Sequence, residues 1–164
     1  MIVIADSSPL ILLARIEQLW LLHALFSKVV VPTAVYAETV GQGELRPGAA
    51  EIASVDWISV EQVTDILAVR MLRQQIGPGE SEAIVLALQV DADILLIDDA
   101  KGRRIAESYG VTAVGTIGIL IEAKRFNLIP TVKPSLMAVR EVGLRMDTQL
   151  YEHALRLSGE DTDR

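Results

Sequence analysis

Asp6, Glu38, Glu80, Asp98 and Asp99 are the side chains whose type and placement point to chemistry. Asp6 directly follows an apolar run at residues 2–5, and Asp98-Asp99 follows another at 94–97. Short apolar runs of this kind read as strands, and open parallel sheets bind ligands just outside the carboxyl ends of their strands. Glu38 lies about a turn and a half beyond Pro32, in a helix expected over 33–40, where it points back over the same edge. Glu80 opens an apolar helix after Gly77-Pro78-Gly79, with Ile84 and Ala87 on its own face. Carboxylates brought to one point repel one another and are driven toward protonation unless they share a divalent cation. The chain has no cysteine, so hard oxygen donors remain, and these suit Mg²⁺ or Mn²⁺.

Each acid also has a structural role open to it. Asp6 is placed to cap a helix starting at Pro9, although Ser7 and Ser8 are equally good caps and closer, which assigns the cap to Ser8. Asp98-Asp99 fits a strand-to-helix turn, Glu80 complements a helix dipole, and Glu38 fits a solvated helix face. Glu82 is two positions from Glu80, hence nearly opposite on the helix, so Glu80 is the preferred ligand.

The elements that must position these acids alternate. Strands are expected at 2–5, 28–31, 57–60, 94–97 and 112–114. Helices are expected at 10–14, 18–26, 33–40, 49–54, 63–75, 80–89, from Asp99 to about Tyr109, and at 116–126, with a helical extension from about 131. Such alternation implies βαβ units, hence an α/β fold with three layers, α/β/α, around a central, mostly parallel sheet. Residues 41–48, with Gly41-Gln42-Gly43 and Pro47-Gly48, read as a loop, and the polar tail after Met146 is expected to fray. Trp20 and Trp57 read as core aromatics, His23 as a core or interface residue, and His153 belongs to no motif. Gly77-Pro78-Gly79 has neither a GxGxxG spacing nor a Walker lysine, which excludes a nucleotide cradle.

A length of 164 residues predicts one domain over 1–164. At 51% hydrophobic and 23% charged, the chain has the balance of a folded domain rather than a disordered one. The absence of cysteine excludes thiolate catalysis and disulfide scaffolds. The first ten residues carry no basic leader or cleavage site, and no apolar run approaches the ~20 residues of a membrane span, so a cytoplasmic location is expected. A formal charge of −7 opposes steering of the whole molecule toward nucleic acid. Any such contact needs a bound cation or a local basic patch, for which Lys101, Arg103 and Arg104, with Arg70, Arg73, Lys124 and Arg125, are the candidates.

Taken in order, the segments Asp6-Ser7-Ser8-Pro9-Leu10, Val35-Tyr36-Ala37-Glu38-Thr39-Val40, Gly79-Glu80-Ser81-Glu82-Ala83-Ile84 and Leu95-Leu96-Ile97-Asp98-Asp99, with Arg103-Arg104, resemble a PIN domain over about residues 1 to 130. Together with Val114-Gly115-Thr116-Ile117-Gly118 they are similar to a prokaryotic branch close to VapC toxins. The resemblance implies a Mg²⁺- or Mn²⁺-dependent ribonuclease, the toxin of a toxin–antitoxin pair, acting on RNA as a homodimer and inhibited by a small antitoxin protein. It assigns catalysis to Asp6, Glu38, Glu80 and Asp99, metal binding to Asp6, Glu80, Asp98 and Asp99, and RNA contacts to Ser8, Lys101, Arg103 and Arg104. The family pattern places a Thr one or two positions before the last acid, where this chain has Leu96-Ile97, so the choice between Asp98 and Asp99 stays open. Two other classes compete: a non-catalytic RNA- or protein-binding oligomer, and a receiver-type phosphoacceptor using Asp98 or Asp99, with Thr116 its nearest partner.

Overall fold

The computed structural model describes residues 1–41 and 46–160. Short β-branched and apolar segments form β1 (Val3–Ala5), β2 (Val29–Pro32), β3 (Ile58–Glu61), β4 (Ile94–Leu96) and β5 (Ala113–Val114). They make one five-stranded sheet in the order β3-β2-β1-β4-β5. Every pairing is parallel, with Ile4 opposite Val30 and Leu95, and Val30 opposite Ser59. The sheet expected to be mostly parallel is wholly so. Parallel neighbours require a crossover between them, and helices supply each one here. The chain runs outward from β1 through β2 to β3, then returns to lay β4 against the other side of β1. That reversal puts a topological switch point between β1 and β4, above the residues that follow them, Asp6 and Asp98.

The helices are α1 (Ser7–Arg15), α2 (Trp20–Phe26), α3 (Thr33–Tyr36), α4 (Ala49–Ser54), α5 (Ile66–Leu72), α6 (Pro78–Gln89), α7 (Ala100–Ser108), α8 (Thr116–Arg125), α9 (Lys133–Glu141) and α10 (Thr148–Leu157). α6 is apolar on nearly all sides because it lies against β1, β2 and β4 while α3, α5 and α7 pack on its flanks. Ala83, Ile84, Val85, Leu86 and Ala87 are all buried there. Val3, Ile4 and Ala5 of β1, with Leu95, Leu96 and Ile97, complete the centre of the core.

Several expectations change in detail. The helix expected over 63–75 contracts to α5, because Asp65 caps it by accepting from the Ala68 N–H at 3.0 Å and Gln89 holds Thr64 outside it. The helix expected over 33–40 becomes α3 followed by a π-helical turn, Ala37–Gly41, with Glu38 in the wider turn. α1 begins at Ser7, so neither serine caps it from outside. Trp20 is 46% exposed and is not a core aromatic, whereas Trp57 packs on the core and stacks on the His23 ring at 5.3 Å. The tail after Met146 does not fray through residue 160. It forms α10, and Glu160 accepts from the Val132 N–H at 2.7 Å and from Lys124 Nζ at 3.2 Å. Burial would raise the Glu160 pKa, but these bonds and that from the Lys133 N–H outweigh it and hold the carboxyl below its ordinary range. Residues 42–45 of the expected loop, and 161–164 of the tail, lie outside the described residues.

Candidate active site

Asp6 extends β1, its N–H donating to the Leu96 carbonyl at 2.8 Å, so the sheet ladder itself carries its carboxyl to the switch point. The side chain is buried, and its Oδ1 has no hydrogen-bond partner. The Asp6 carboxyl is pushed up from 3.8 to about 7, chiefly by burial; the Ser7 N–H opposes the rise, and the neighbouring charges of Glu80, Glu38 and Asp98 contribute to it. The charges felt by Asp6 therefore come from α6, from the π-helical turn and from the end of β4: elements far apart in sequence meet at one place.

Hydroxyls and glycines hold these acids in position. Ser7 Oγ donates to Glu38 Oε2 at 3.0 Å, and Ser8 Oγ donates to Asp98 Oδ2 at 3.0 Å. Thr116, at the start of α8, donates through its N–H to Asp98 Oδ1 and through Oγ1 to Asp98 Oδ2, both at 2.7 Å. The π-helical turn that carries Glu38 is fastened by Thr39 Oγ1, which donates to the Val35 carbonyl at 3.0 Å. Such turns are characteristic of functional positions in helices. A Cβ at Gly79 would lie 2.7 Å from Glu38 Oε2, and one at Gly115 would lie 2.9 Å from Asp98 Oδ1. Both glycines are cut to the space the carboxylates fill.

The paired candidates separate. Asp98 faces Ser8 and Thr116, while Asp99 turns back to cap α7, its Oδ2 accepting from the Gly102 N–H at 2.6 Å. Glu80 is among the charges acting on Asp6, whereas Glu82 Oε1 accepts from the Ala34 N–H at 3.0 Å and anchors the first turn of α3. Replacing Asp99 by Ala should therefore remove a helix cap and cost about 1 kcal/mol of stability while leaving cation binding intact. Asp98→Ala should abolish the cation response. Denaturant titrations with and without Mn²⁺ check both.

A cleft of about 740 Å³ opens over Asp6, Glu80, Asp98 and Asp99, which wall it with Ser8 on one side while the α9–α10 connection walls it on the other; Glu38 is not part of its wall. Arg15 Nη1 donates to the Val142 carbonyl at 2.9 Å and ties that connection to α1. Arg103 and Arg145 also line the cleft. Arg103 folds its guanidinium onto the Asp98 and Ile97 carbonyls, so it braces the turn that aims Asp98. A second, polar depression of about 410 Å³ contains Arg73 and Lys101 and shares Glu80 and Asp99 with the first. Arg104 is exposed and Arg70 lies on α5; neither lines these clefts. Lys124 is engaged by Glu160 and Arg125 by Glu122, so both stand apart from the acids. Arg15 and Arg145 escape the sequence reading because nothing local distinguishes them from other surface arginines; Gly79 and Gly115 stand in segments the sequence singles out, but carboxylates from other segments are what require glycine there.

Among the described residues no three His, Asp or Glu side chains stand close enough, as placed, to form a ready cation cage. The donor set nevertheless fits a hard divalent ion. Its oxygens come from buried or half-buried carboxylates, Asp6 Oδ1 is buried without a partner, and Gly79 and Gly115 admit the Glu38 and Asp98 carboxylates where a side chain would exclude them.

A wholly parallel α/β sheet flanked by helices, with carboxylates gathered at its switch point, defines an α/β protein with an acidic centre suited to a hard cation. A family model for the PIN domain matches residues 2–160, nearly the whole chain, and the chain belongs to the PIN domain family. PIN domains are generally nucleases that use divalent metal ions. None of the curated proteins compared with the chain matches it. Among the described residues, no helix is long and apolar enough to cross a membrane.

Proposed function

We propose that the chain is a Mg²⁺- or Mn²⁺-dependent endoribonuclease whose centre is Asp6, Glu38, Glu80 and Asp98. The observation that carries this reading is the buried Asp6 carboxyl, one oxygen unpartnered, set among three acids from separate elements. Asp6, Glu80 and Asp98 would hold the ion, which when bound supplies an activated water and neutralises charge on the phosphodiester. Glu38, held by Ser7 and close enough to act on the Asp6 carboxyl, would serve as the base that takes up the proton released in hydrolysis. Ser8 and Thr116 keep Asp98 pointing inward, and Asp99 holds the start of α7. Arg73 and Lys101 on one side of the acids, and Arg15 and Arg145 on the other, supply the positive charge that an acidic protein needs to hold a phosphate backbone. No nucleophilic side chain is required, in keeping with a site that contains no Ser-His or Cys-His arrangement.

A toxin role, with a small antitoxin inserting at the acidic cleft and with homodimerisation, extends this reading from the family resemblance. The exposed apolar side chains Phe126, Leu157 and Trp20 are consistent with protein contacts. An adjacent short reading frame encoding a DNA-binding segment, and a sedimentation mass twice that of the chain, are the expected findings.

A non-catalytic RNA-binding role is favoured by one observation, the lack of a ready cation cage. The same assay separates the two. Purified protein is incubated with single-stranded and with structured RNA in Mn²⁺, Mg²⁺ or EDTA. Cleavage that requires the cation is expected; binding with no cutting in either ion would overturn the nuclease reading.

A further inference from the structure

Beside the carboxylate cleft lies a third, smaller cavity of about 280 Å³, lined by Ile117 and Ile121 of α8, by Leu144 of the α9–α10 connection and by His153 and Leu157 of α10. The two spaces are continuous: Asp98, Arg103 and Arg145 line both. A nucleotide whose phosphate sits at Asp98 would have this cavity as its next neighbour. The cavity walls are mostly apolar, with one imidazole, the guanidiniums of Arg103 and Arg145 and the Asp98 carboxylate at the junction, the composition expected of a small-molecule pocket with a few orienting polar groups. Its volume lies just below the ~300–1,000 Å³ range of drug-sized sites, which suits a single planar ring better than a peptide segment. Arg145 makes no hydrogen bond or ion pair with any described residue, and it stands where the two spaces join.

Resting on the ribonuclease reading, we propose that this cavity is a nucleobase subsite, which takes one unstacked base of a single-stranded RNA while its phosphate lies over the acids. Single-stranded RNA is read by bases splayed from the stack and laid against aromatic rings, His included, or against guanidinium planes. His153 and Arg145 provide one of each. Continuity with the acidic cleft and the cationic junction favour a nucleotide over an uncharged apolar partner, and they make strand-selective cutting next to a preferred base the consequence. The α9–α10 connection and α10, which lie outside the segment carrying the acids, thereby acquire a role: they wall the catalytic cleft and select what enters it.

The test has two arms. In the first, the full chain is titrated by NMR with each of the four nucleoside 5′-monophosphates and with ribose 5-phosphate, without divalent cation. Shifts at His153 and Leu157 that differ among the bases and are absent with ribose 5-phosphate are expected. Equal shifts with the baseless sugar phosphate, or none, would overturn the subsite even if RNA is cut. Broadening that follows protein concentration alone would instead assign the cavity to a second copy of the chain and also overturn it. In the second arm, cleavage of octaribonucleotides differing at one position is compared for wild type, His153→Ala and Leu157→Ala. Both residues are exposed, so the variants should fold. A base preference that falls roughly tenfold in the variants, with cutting retained, supports the subsite; a preference unchanged in both variants overturns it. Base-dependent shifts without any cutting by wild type would retain the subsite and reject the nuclease reading.

Discussion

Asp6→Asn is expected to stabilise the metal-free protein at alkaline pH and to remove its activity. The Asp6 carboxyl titrates near 7 in the fold and near 3.8 in a free chain, chiefly because it is buried and then because Glu80, Glu38 and Asp98 surround it. A carboxyl with a raised folded pKa contributes its full stabilisation below about pH 4, where both states are protonated. That contribution is lost as the pH climbs to about 7, because the unfolded chain releases its proton first. The loss amounts to roughly 4 kcal/mol at most. Asparagine cannot ionise, so the variant should lack this decline and melt roughly 5–10 °C higher than wild type at pH 8 without divalent ions. Cation binding must displace the Asp6 proton, so the stabilisation of wild type by Mn²⁺ should grow as the pH rises through 7. Loss of an outer partner of a metal commonly costs 10–100-fold, so loss of a direct ligand should reduce cleavage by at least ~100-fold. Thermal melts across pH 5 to 9 and initial cleavage rates check these expectations together.

Gly79→Ala should do the reverse of most glycine-to-alanine changes at an active site, disabling it without loosening the fold. The added methyl would lie 2.7 Å from Glu38 Oε2 and 2.8 Å from its Cδ. The obstructed group is the end of a side chain, which can swing away, while alanine gains up to ~1 kcal/mol over glycine within a helix such as α6. Melting temperature should therefore hold or rise. Glu38, however, would leave Ser7 Oγ and its place beside Asp6, and a displacement of about 1 Å can cost ~100-fold in rate. A cleavage rate equal to wild type in this variant would show that Glu38 has no part in the chemistry.

The positions of Asp6 and the Asp98-Asp99 pair were legible because a period of strand and helix places post-strand residues at one sheet edge whatever the loops do. The mostly parallel character of the sheet was legible for the same reason: each apolar run is separated from the next by enough chain for a crossover; that every pairing is parallel came from the structure. Which of Asp98 and Asp99 faces the site was not legible. It depends on one backbone rotation at the head of α7 and on hydroxyls from Ser8 and Thr116, distant in sequence. The role of Ser8 was misread as helix capping because a serine before a proline carries that local signal, while its actual partner comes from another strand. Trp20 misled for a similar reason, since apolar neighbours on both sides do not reveal which side of α2 faces solvent. The basic side chains of the cleft were least legible. Arg15 and Arg145 reach it only because α9 and α10 fold back over α1 and α8, a tertiary fact with no short-range trace.

The central claim is that the carboxylates on these separate elements act as one cation site, and calorimetric titration of Mn²⁺ into wild type, Asp6→Asn, Glu80→Gln and Asp98→Asn at pH 8 tests it most directly. Saturable binding to wild type, lost in each single variant while Asp99→Asn and Glu82→Gln retain it, is the expected result. Binding that survives in Asp6→Asn and Asp98→Asn, or no binding by wild type, would contradict it.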